Sequence, residues 1–389
     1  MSGAGRRLLM VEQGGRGGVA DYTAELVAAL AAQGWSVTLA TAADHRYGEI
    51  AGVRIVPVFH YTRGEGALGR ALREHGLGRA ANGLRFLAAL PRLALLARRA
   101  DIVHSQGWEV PQIGALAVAC LRLGGTPVVQ TAHGLFDRST TARGARTAAR
   151  RLTGRLTART IVHTQADLAG AGQIVDPSRL AVIPHGEYGG LAGRGGQAER
   201  GAARAALGIA ADAPVTLMFG QLRPDKGLDD LALAALEVPE LTLLVGGQDV
   251  GGLQAVEADL KRLGPRAIVR EGFLDMTTTA RLFAAADTVA LPYRESSASG
   301  VLLLAYGFSR PVVVYPSGGM VEAVVDGQTG WVCREPTVAA LVEALADSVR
   351  AGAQECARRG REGRRLADER YSWEAIARQT ARLYEEVLA

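Results

Sequence analysis

The sequence predicts an α/β protein of two doubly wound, Rossmann-like domains facing each other across a cleft. Three observations carry that prediction. The chain has 389 residues, too many for one ordinary core and suited to two domains of somewhat under about 200 residues each. In both halves, short β-like runs alternate with Ala/Leu-rich helical stretches, the rhythm of an open, mainly parallel sheet covered by helices. Between them a Gly/Ala-rich stretch, 186–214, breaks the pattern and reads as a linker.

The first half opens on the β-like run 8–11, followed by a helical stretch at about 19–33 and by β-like runs at 36–40 and 54–58. Further runs lie at 102–105, 127–131, 159–163 and 180–184, with an Arg-rich helical stretch between the last strands. The second half restarts at 215–219 and continues through 241–245, 267–269, 288–291, 312–315 and 331–333. A last helix at 373–388 places Ile376, Leu383, Tyr384 and Val387 at helical spacing and is apolar enough to pack on either domain. The predicted boundaries are 1–188, a linker at 189–213, 214–370, and a terminal helix at 371–389.

With 48% hydrophobic and 21% charged residues the chain reads as globular rather than disordered. No uninterrupted apolar run of about 18 residues stands out, and residues 1–7 lead straight into a strand, so a cytoplasmic location is expected. Cys120, Cys333 and Cys356 are far apart and form no Cys-x-x-Cys pair, which argues against disulfides and zinc and for buried thiols. Lysine occurs only at positions 226 and 261, against 42 arginines. Residues 1–190 carry 22 basic and 13 acidic side chains, a net +9, while residues 191–389 carry 22 and 26, a net −4. The basic half suits an anionic membrane surface or an acidic substrate, so peripheral membrane contact is an expected partnership. Nucleic acid is not expected, because few aromatics accompany the arginines.

Four motifs carry chemistry. After the first strand, Gly15, Gly17 and Ala20 meet the G-x-G-x-x-G/A pattern, with Asp44 beyond the second strand, which keeps a nicotinamide-dependent dehydrogenase open. Gly17 and Gly18 would also let backbone N–H groups meet a phosphate or sugar at a helix N-terminus. In the second half, 219–227 follows a strand and places Arg223 and Lys226 beside Gly220 and Gly227. An arginine forks onto phosphate and a lysine adds a point charge, so this run suits a polyanion. A third run, 291–306, joins a strand to an apolar helix through a Ser/Gly turn, where Ser299, Gly300 and Val301 offer backbone donors and Glu295 a carboxylate for sugar hydroxyls. The histidines form the fourth set. His104 and His133 end apparent strands, and His163 and His185 repeat that placement more weakly. No Asp-x-Asp and no metal-spaced His/Glu cluster is present, so neither a catalytic metal nor another cofactor is expected.

Together these runs resemble the family 4 glycosyltransferases of the two-domain GT-B fold, nearly end to end. The segment 17–26 is similar to the family's first glycine loop and helix, 129–134 to its Thr-x-His-Gly and 182–186 to its Ile-Pro-His-Gly. In the second half, 220–227 is similar to the donor diphosphate motif, 318–330 to a later signature, and 371–374 to the start of the helix that crosses back to the N-terminal domain. The resemblance implies a retaining hexosyltransferase with an acceptor-binding N-terminal domain and a nucleotide-sugar-binding C-terminal domain. It implies UDP- or GDP-sugar as donor and a carbohydrate, lipid-linked or small-molecule acceptor. Gly17, Gly18, Gly220, Arg223, Lys226, Glu295, Ser299, Gly300 and Val301 would hold the donor, with its base near Gly272, Phe273 and Leu274. His133, Arg223, Lys226 and Glu295 would be catalytic, and His104, His133 and His185 would position acceptor or sugar.

Two departures mark this chain. Gln221 stands where many members carry the arginine, and Arg223 supplies the charge two residues later. Leu304 stands where the second glutamate of the family's pair should bind the ribose, a variant associated with the branch that pairs Arg-Pro-x-Lys-Gly with Ser-Gly. The alternative from another class is a non-catalytic nucleotide-sugar sensor or a membrane-docked partner protein.

Overall fold

The computed structural model describes residues 5–62, 78–108, 110–133, 143–187, 199–295 and 299–389. The chain divides into two compact units, residues 1–183 with 373–389, and residues 184–372.

In the first unit the order is β1 (Arg7–Val11), α1 (Gly18–Ala32), β2 (Ser36–Ala42), β3 (Val53–Phe59), α2 (Gly78–Ala97), β4 (Ile102–Ser105), α3 (Pro111–Leu121), β5 (Val128–Thr131), α4 (Arg143–Leu156), β6 (Arg159–Val162), α5 (Gln165–Ala171) and β7 (Leu180–Val182). The strands form one parallel sheet in the order β3-β2-β1-β4-β5-β6-β7. A parallel sheet must be covered on both faces. One face packs Leu9, Val11 and Val103 against Phe86, Leu90, Leu93, Val118 and Leu121 of α2 and α3. The other packs Leu8, Met10 and Ile102 against Tyr22, Leu26 and Leu30 of α1, and against Ile376, Leu383 and Tyr384 of the last helix.

In the second unit the order is α6 (Arg200–Leu207), β8 (Val215–Phe219), α7 (Leu228–Leu236), β9 (Thr242–Gly247), α8 (Leu253–Leu263), β10 (Ala267–Glu271), α9 (Met276–Ala285), β11 (Thr288–Leu291), α10 (Gly300–Gly307), β12 (Val312–Val314), α11 (Met320–Ala323), β13 (Gly330–Val332) and α12 (Val338–Arg370); α13 (Trp373–Leu388) then belongs to the first unit. The sheet is again parallel, ordered β10-β9-β8-β11-β12-β13. α12 is kinked at Gly352, whose φ of 75° no helix interior adopts.

The stretch read as a linker is corrected in part. Its described end holds α6, anchored by Arg204, which is 1% exposed. Arg204 donates to the carbonyls of Ala210, Ala211, Ala213 and Ala285 and pairs with Asp287 at 2.8 Å. A buried guanidinium is tolerated only with this kind of full hydrogen bonding. The division also falls at Ile183/Pro184, which places His185 in the second unit. Cys333 and Cys356 are buried and their thiols are pushed up to about 12 by burial, whereas Cys120 is only half-buried.

Candidate active site

In an open α/β sheet, ligands bind beyond the carboxyl ends of the strands where the strand order reverses. In the second sheet that point lies between β8 and β11: β8, β9 and β10 step one way and β11, β12 and β13 the other. The loops after β8 and β11 carry the sequence-predicted donor residues.

These two loops are tied together closely. Gly227 caps α7 at φ 72°, and a Cβ there would lie 2.1 Å from the Pro292 carbonyl oxygen, so glycine alone fits. Lys226 Nζ lies 3.9 Å from the ring centre of Tyr293, within cation–π range. Tyr293 is buried, which pushes its hydroxyl pKa up, and it shares a hydrogen bond with Ser299. Arg294 pairs with Asp229 and Asp230 at 2.7 Å each, and Tyr315 donates to Asp230 at 3.0 Å, fixing the β11 loop to the start of α7. Arg223 pairs with Asp225 through Nε at 2.8 Å and Nη2 at 2.6 Å. That pair raises the Arg223 pKa and lowers that of Asp225. Nη1 of Arg223 has no hydrogen-bond partner among the described residues.

Ser299 caps α10 by accepting from the Leu302 amide at 3.3 Å. The amides of Gly300 and Val301, in the first turn, have no intrahelical acceptor and form a positive helix end. The Val301 side chain lies against Gly220, where a Cβ would approach it to 3.3 Å. Thus Gly220, Arg223, Lys226, Ser299, Gly300 and Val301 share one end of the second sheet. Glu295 is exposed on the β11 loop, and residues 296–298 lie outside the described residues. Leu304 faces inward from α10 into the core. Gly272, Phe273 and Leu274 follow the edge strand β10: the Gly272 amide donates to Gly247 at 3.0 Å, Phe273 is 93% exposed, and Leu274 packs on the core.

The first sheet reverses between β1 and β4. Here Glu12, 4% exposed, accepts from the Gly14 and Gly15 amides at 2.7 and 2.6 Å, from Tyr47 at 2.8 Å and from Thr41 at 3.2 Å. Asp44 is paired with Arg16 at 2.9 Å. The Gly14 and Gly15 amides and the Asp44 carboxylate are thus already engaged within the protein, which weighs against the dehydrogenase reading. Gly17 and Gly18 have open space where a Cβ would stand.

The histidines separate. His133, two residues past β5, is half-buried: its Nε2 is 2.8 Å from Gln106 Oε1, and its ring meets Tyr22 at 4.9 Å and His163 at 5.3 Å. Gly134 lies outside the described residues. His163 donates through Nδ1 to the Ile183 carbonyl at 3.0 Å. His104 is corrected: it is 0% exposed inside β4, bonded to the Tyr384 hydroxyl and, at 2.7 Å, to Thr131, so it meets no ligand. Burial pushes its pKa down to about 3, with His163 adding to the effect. His185 donates through Nδ1 to its neighbour's carbonyl, Gly186, at 2.7 Å, and it stands in the second unit.

Sequence reasoning missed Glu12, Tyr293 and a pocket of ≈ 390 Å³ at the first sheet's reversal, lined by Tyr61, Phe86 and Trp108 with Arg79 and Asn82. The signal available for Glu12 was an acid at a strand's end, two residues before a glycine pair. For Tyr293 it was an aromatic just past another strand's end.

Residues 17–186 match the family model described as a glycosyl transferase 4-like domain, and residues 213–351 match the one described as glycosyl transferases group 1. Both halves of the chain are glycosyltransferase domains. Curated relatives include the D-inositol 3-phosphate glycosyltransferase of Actinosynnema mirum, 33% identical over 257 residues, a match covering 59% of this chain and 59% of the relative. The protein of the same name from Mycobacterium tuberculosis is 33% identical over 248 residues, covering 59% of this chain and 50% of the relative. The chain thus spans between half and two thirds of these relatives' length. Among solved structures, Anabaena HepE in complex with UDP superposes with a TM-score of 0.75 at 20% identity, covering 98% of this chain and 100% of that one. Sucrose-phosphate synthase from Thermosynechococcus elongatus gives 0.75 at 22% identity, covering 98% and 99%. The fold of these glycosyltransferase domains is GT-B.

Proposed function

We propose that the chain transfers a hexose from a UDP- or GDP-sugar to an acceptor hydroxyl, with retention at the anomeric carbon and without a metal or other cofactor. The observation that carries this reading is the gathering of Arg223, Lys226 and the first turn of α10 at the reversal point of the second sheet. Breaking the glycosidic bond puts positive charge on the sugar and negative charge on the departing diphosphate. Arg223, Lys226 and the Gly300 and Val301 amides would stabilise that negative charge, as preorganised donors do best in a dry site. Asp225 would hold the guanidinium in place, leaving Nη1 to reach a phosphate. Glu295 would accept from sugar hydroxyls, and Phe273 and its neighbours would meet the base.

In the first unit, His133 would position acceptor or sugar, with Gly17 and Gly18 leaving room for it. The aromatic pocket suits the apolar face of a carbohydrate ring, a lipid-linked sugar or a small-molecule aglycone. HepE has been solved with UDP and UDP-glucose bound, and the curated relatives are named for D-inositol 3-phosphate, which supports this donor class and a polyol acceptor. The expected location is cytoplasmic, with peripheral contact at the inner face of the membrane.

Incubation with a panel of sugar nucleotides should release free nucleoside diphosphate in the presence of an acceptor. Arg223→Ala with Lys226→Ala should weaken donor binding by roughly a hundredfold, about 3 kcal/mol, as expected for two charge-assisted contacts. Unchanged donor affinity in that double variant would overturn the assignment. Tight donor binding with neither transfer nor hydrolysis would make the protein a nucleotide-sugar sensor instead.

A further inference from the structure

We propose that the outer face of α2, α3 and α4 docks on an anionic lipid bilayer, the helices lying in the plane of the surface. The inference sharpens the membrane contact proposed above, and its test does not depend on sugar transfer.

The three helices cover one face of the first sheet, α2 packing on α3 and α3 on α4. α2 turns Phe86, Leu90 and Leu93 inward to the core. A solvent-facing helix normally turns charged and polar residues outward. Instead α2 exposes Leu84, Leu87 and Leu95, the first at 69%, one helical stripe at spacings of three and eleven residues. α3 and the turn after it continue the pattern with Leu116 and Leu123, the second 70% exposed, and α4 adds Leu152. Of the twelve exposed large apolar side chains among the described residues, six lie on these three helices and the turn after α3. Dispersion over both units would have made them ordinary; concentration on one helical layer marks an interaction surface.

Charge says what the surface meets. Residues 78–97, 111–124 and 143–156 hold nine arginines and no aspartate or glutamate. Arg92, Arg98, Arg99, Arg151 and Arg155 are exposed beside the leucines. Leucines that sink into the headgroup boundary, flanked by arginines whose stems follow them while the guanidinium groups stay at the phosphates, are the pattern of an interfacial helix on anionic lipid. A second copy fits less well, because a two-fold contact would set this acid-free face against itself. α2 is long and apolar enough to cross a membrane, but its inner stripe is built into the core of the first sheet, so it lies on the bilayer.

The full chain should co-sediment with phosphatidylcholine vesicles containing about one third phosphatidylglycerol, weakly or not at all with pure phosphatidylcholine, and less as salt is raised. Leu84→Glu with Leu87→Glu and Leu95→Glu should weaken vesicle binding at least about tenfold. Arg92→Glu with Arg99→Glu, Arg151→Glu and Arg155→Glu should do the same separately. Circular dichroism and unchanged donor binding control for folding. No sedimentation of the wild-type chain, or equal sedimentation of folded variants, overturns the proposal. A concentration-dependent dimer that the leucine variant abolishes, with no vesicle binding, assigns the face to a second copy instead.

Discussion

The two sheets offer the same topological crevice, and the chain furnishes the two crevices with opposite chemistry. In the first unit the loop after β1 turns its amides inward to Glu12, and the crevice wall is aromatic. In the second the loop after β8 is glycine-tight and presents Arg223 and Lys226. A fold position therefore fixes where a ligand can sit, while the side chains at one strand's end decide which ligand. A carboxylate at that end closes the loop on itself. A guanidinium and an ammonium there suit an anion, as in the donor site proposed above.

The largest expected effect breaks the closed loop. Glu12→Ala leaves two amides and two hydroxyls without their acceptor and should destabilise the first unit by about 3 kcal/mol, as loss of hydrogen bonds to a buried charge does. The measurement is urea unfolding followed by tryptophan fluorescence in a Trp331→Phe background, where the remaining tryptophans, at positions 35, 108 and 373, all report on the first unit. A loss under about 1 kcal/mol would mean the loop does not need Glu12.

The second effect depends on pH. His104 is held neutral, its pKa pushed down to about 3, and that of His163 is lowered by the same burial. The unfolded chain takes up these protons near pH 6.5 and the folded chain does not. The stability is therefore fully present above that pH and, for His104, is lost as pH falls from about 6.5 toward 3, at about 1.4 kcal/mol per pH unit, with His163 acting in the same direction. The same fluorescence assay should show the first unit weakening from pH 7 to pH 5; a flat response would contradict the burial argument.

The smallest effect lies in the second unit. Ser309 is the one non-glycine residue with positive φ, 53°, among the described residues, and it follows α10 where the Arg310 amide returns to the Ala305 carbonyl at 2.8 Å. Glycine is favoured at this position after a helix. Ser309→Gly should stabilise the second unit by about 0.5–1 kcal/mol, read as a rise in the Trp331 transition. A loss of stability would show that the serine side chain contributes more than the backbone strain costs.

Strands and most helices were legible because apolar runs of four to seven residues between polar breaks leave few alternatives, and the observed β4, β8 and β11 coincide with the runs read from sequence. α6 was not legible, since an Ala/Gly-rich run looks like a linker until Arg204 is seen to satisfy the carbonyls around it. Nor was the split between His104 and His133. Both follow apolar runs, but one sits within its strand and faces the core, while the other stands past its strand's end. The charged run 220–227 was legible as a motif, whereas Asp225 as the partner of Arg223 was not, because a two-residue spacing does not say whether an acid turns back. Glu12 was missed because Thr41 and Tyr47, two of its partners, come from beyond the next helix.

The return of α13 to the first unit has a consequence for how the molecule is made. The first sheet is complete in the nascent chain once β7 has emerged, yet its core still lacks Ile376, Leu383 and Tyr384. The hydroxyl that meets His104 arrives only after the entire second unit has been synthesised. The unit begun first on the ribosome is thus the one finished last. Until α13 docks, the part of that face which α1 leaves uncovered is open apolar surface that a holdase chaperone would recognise.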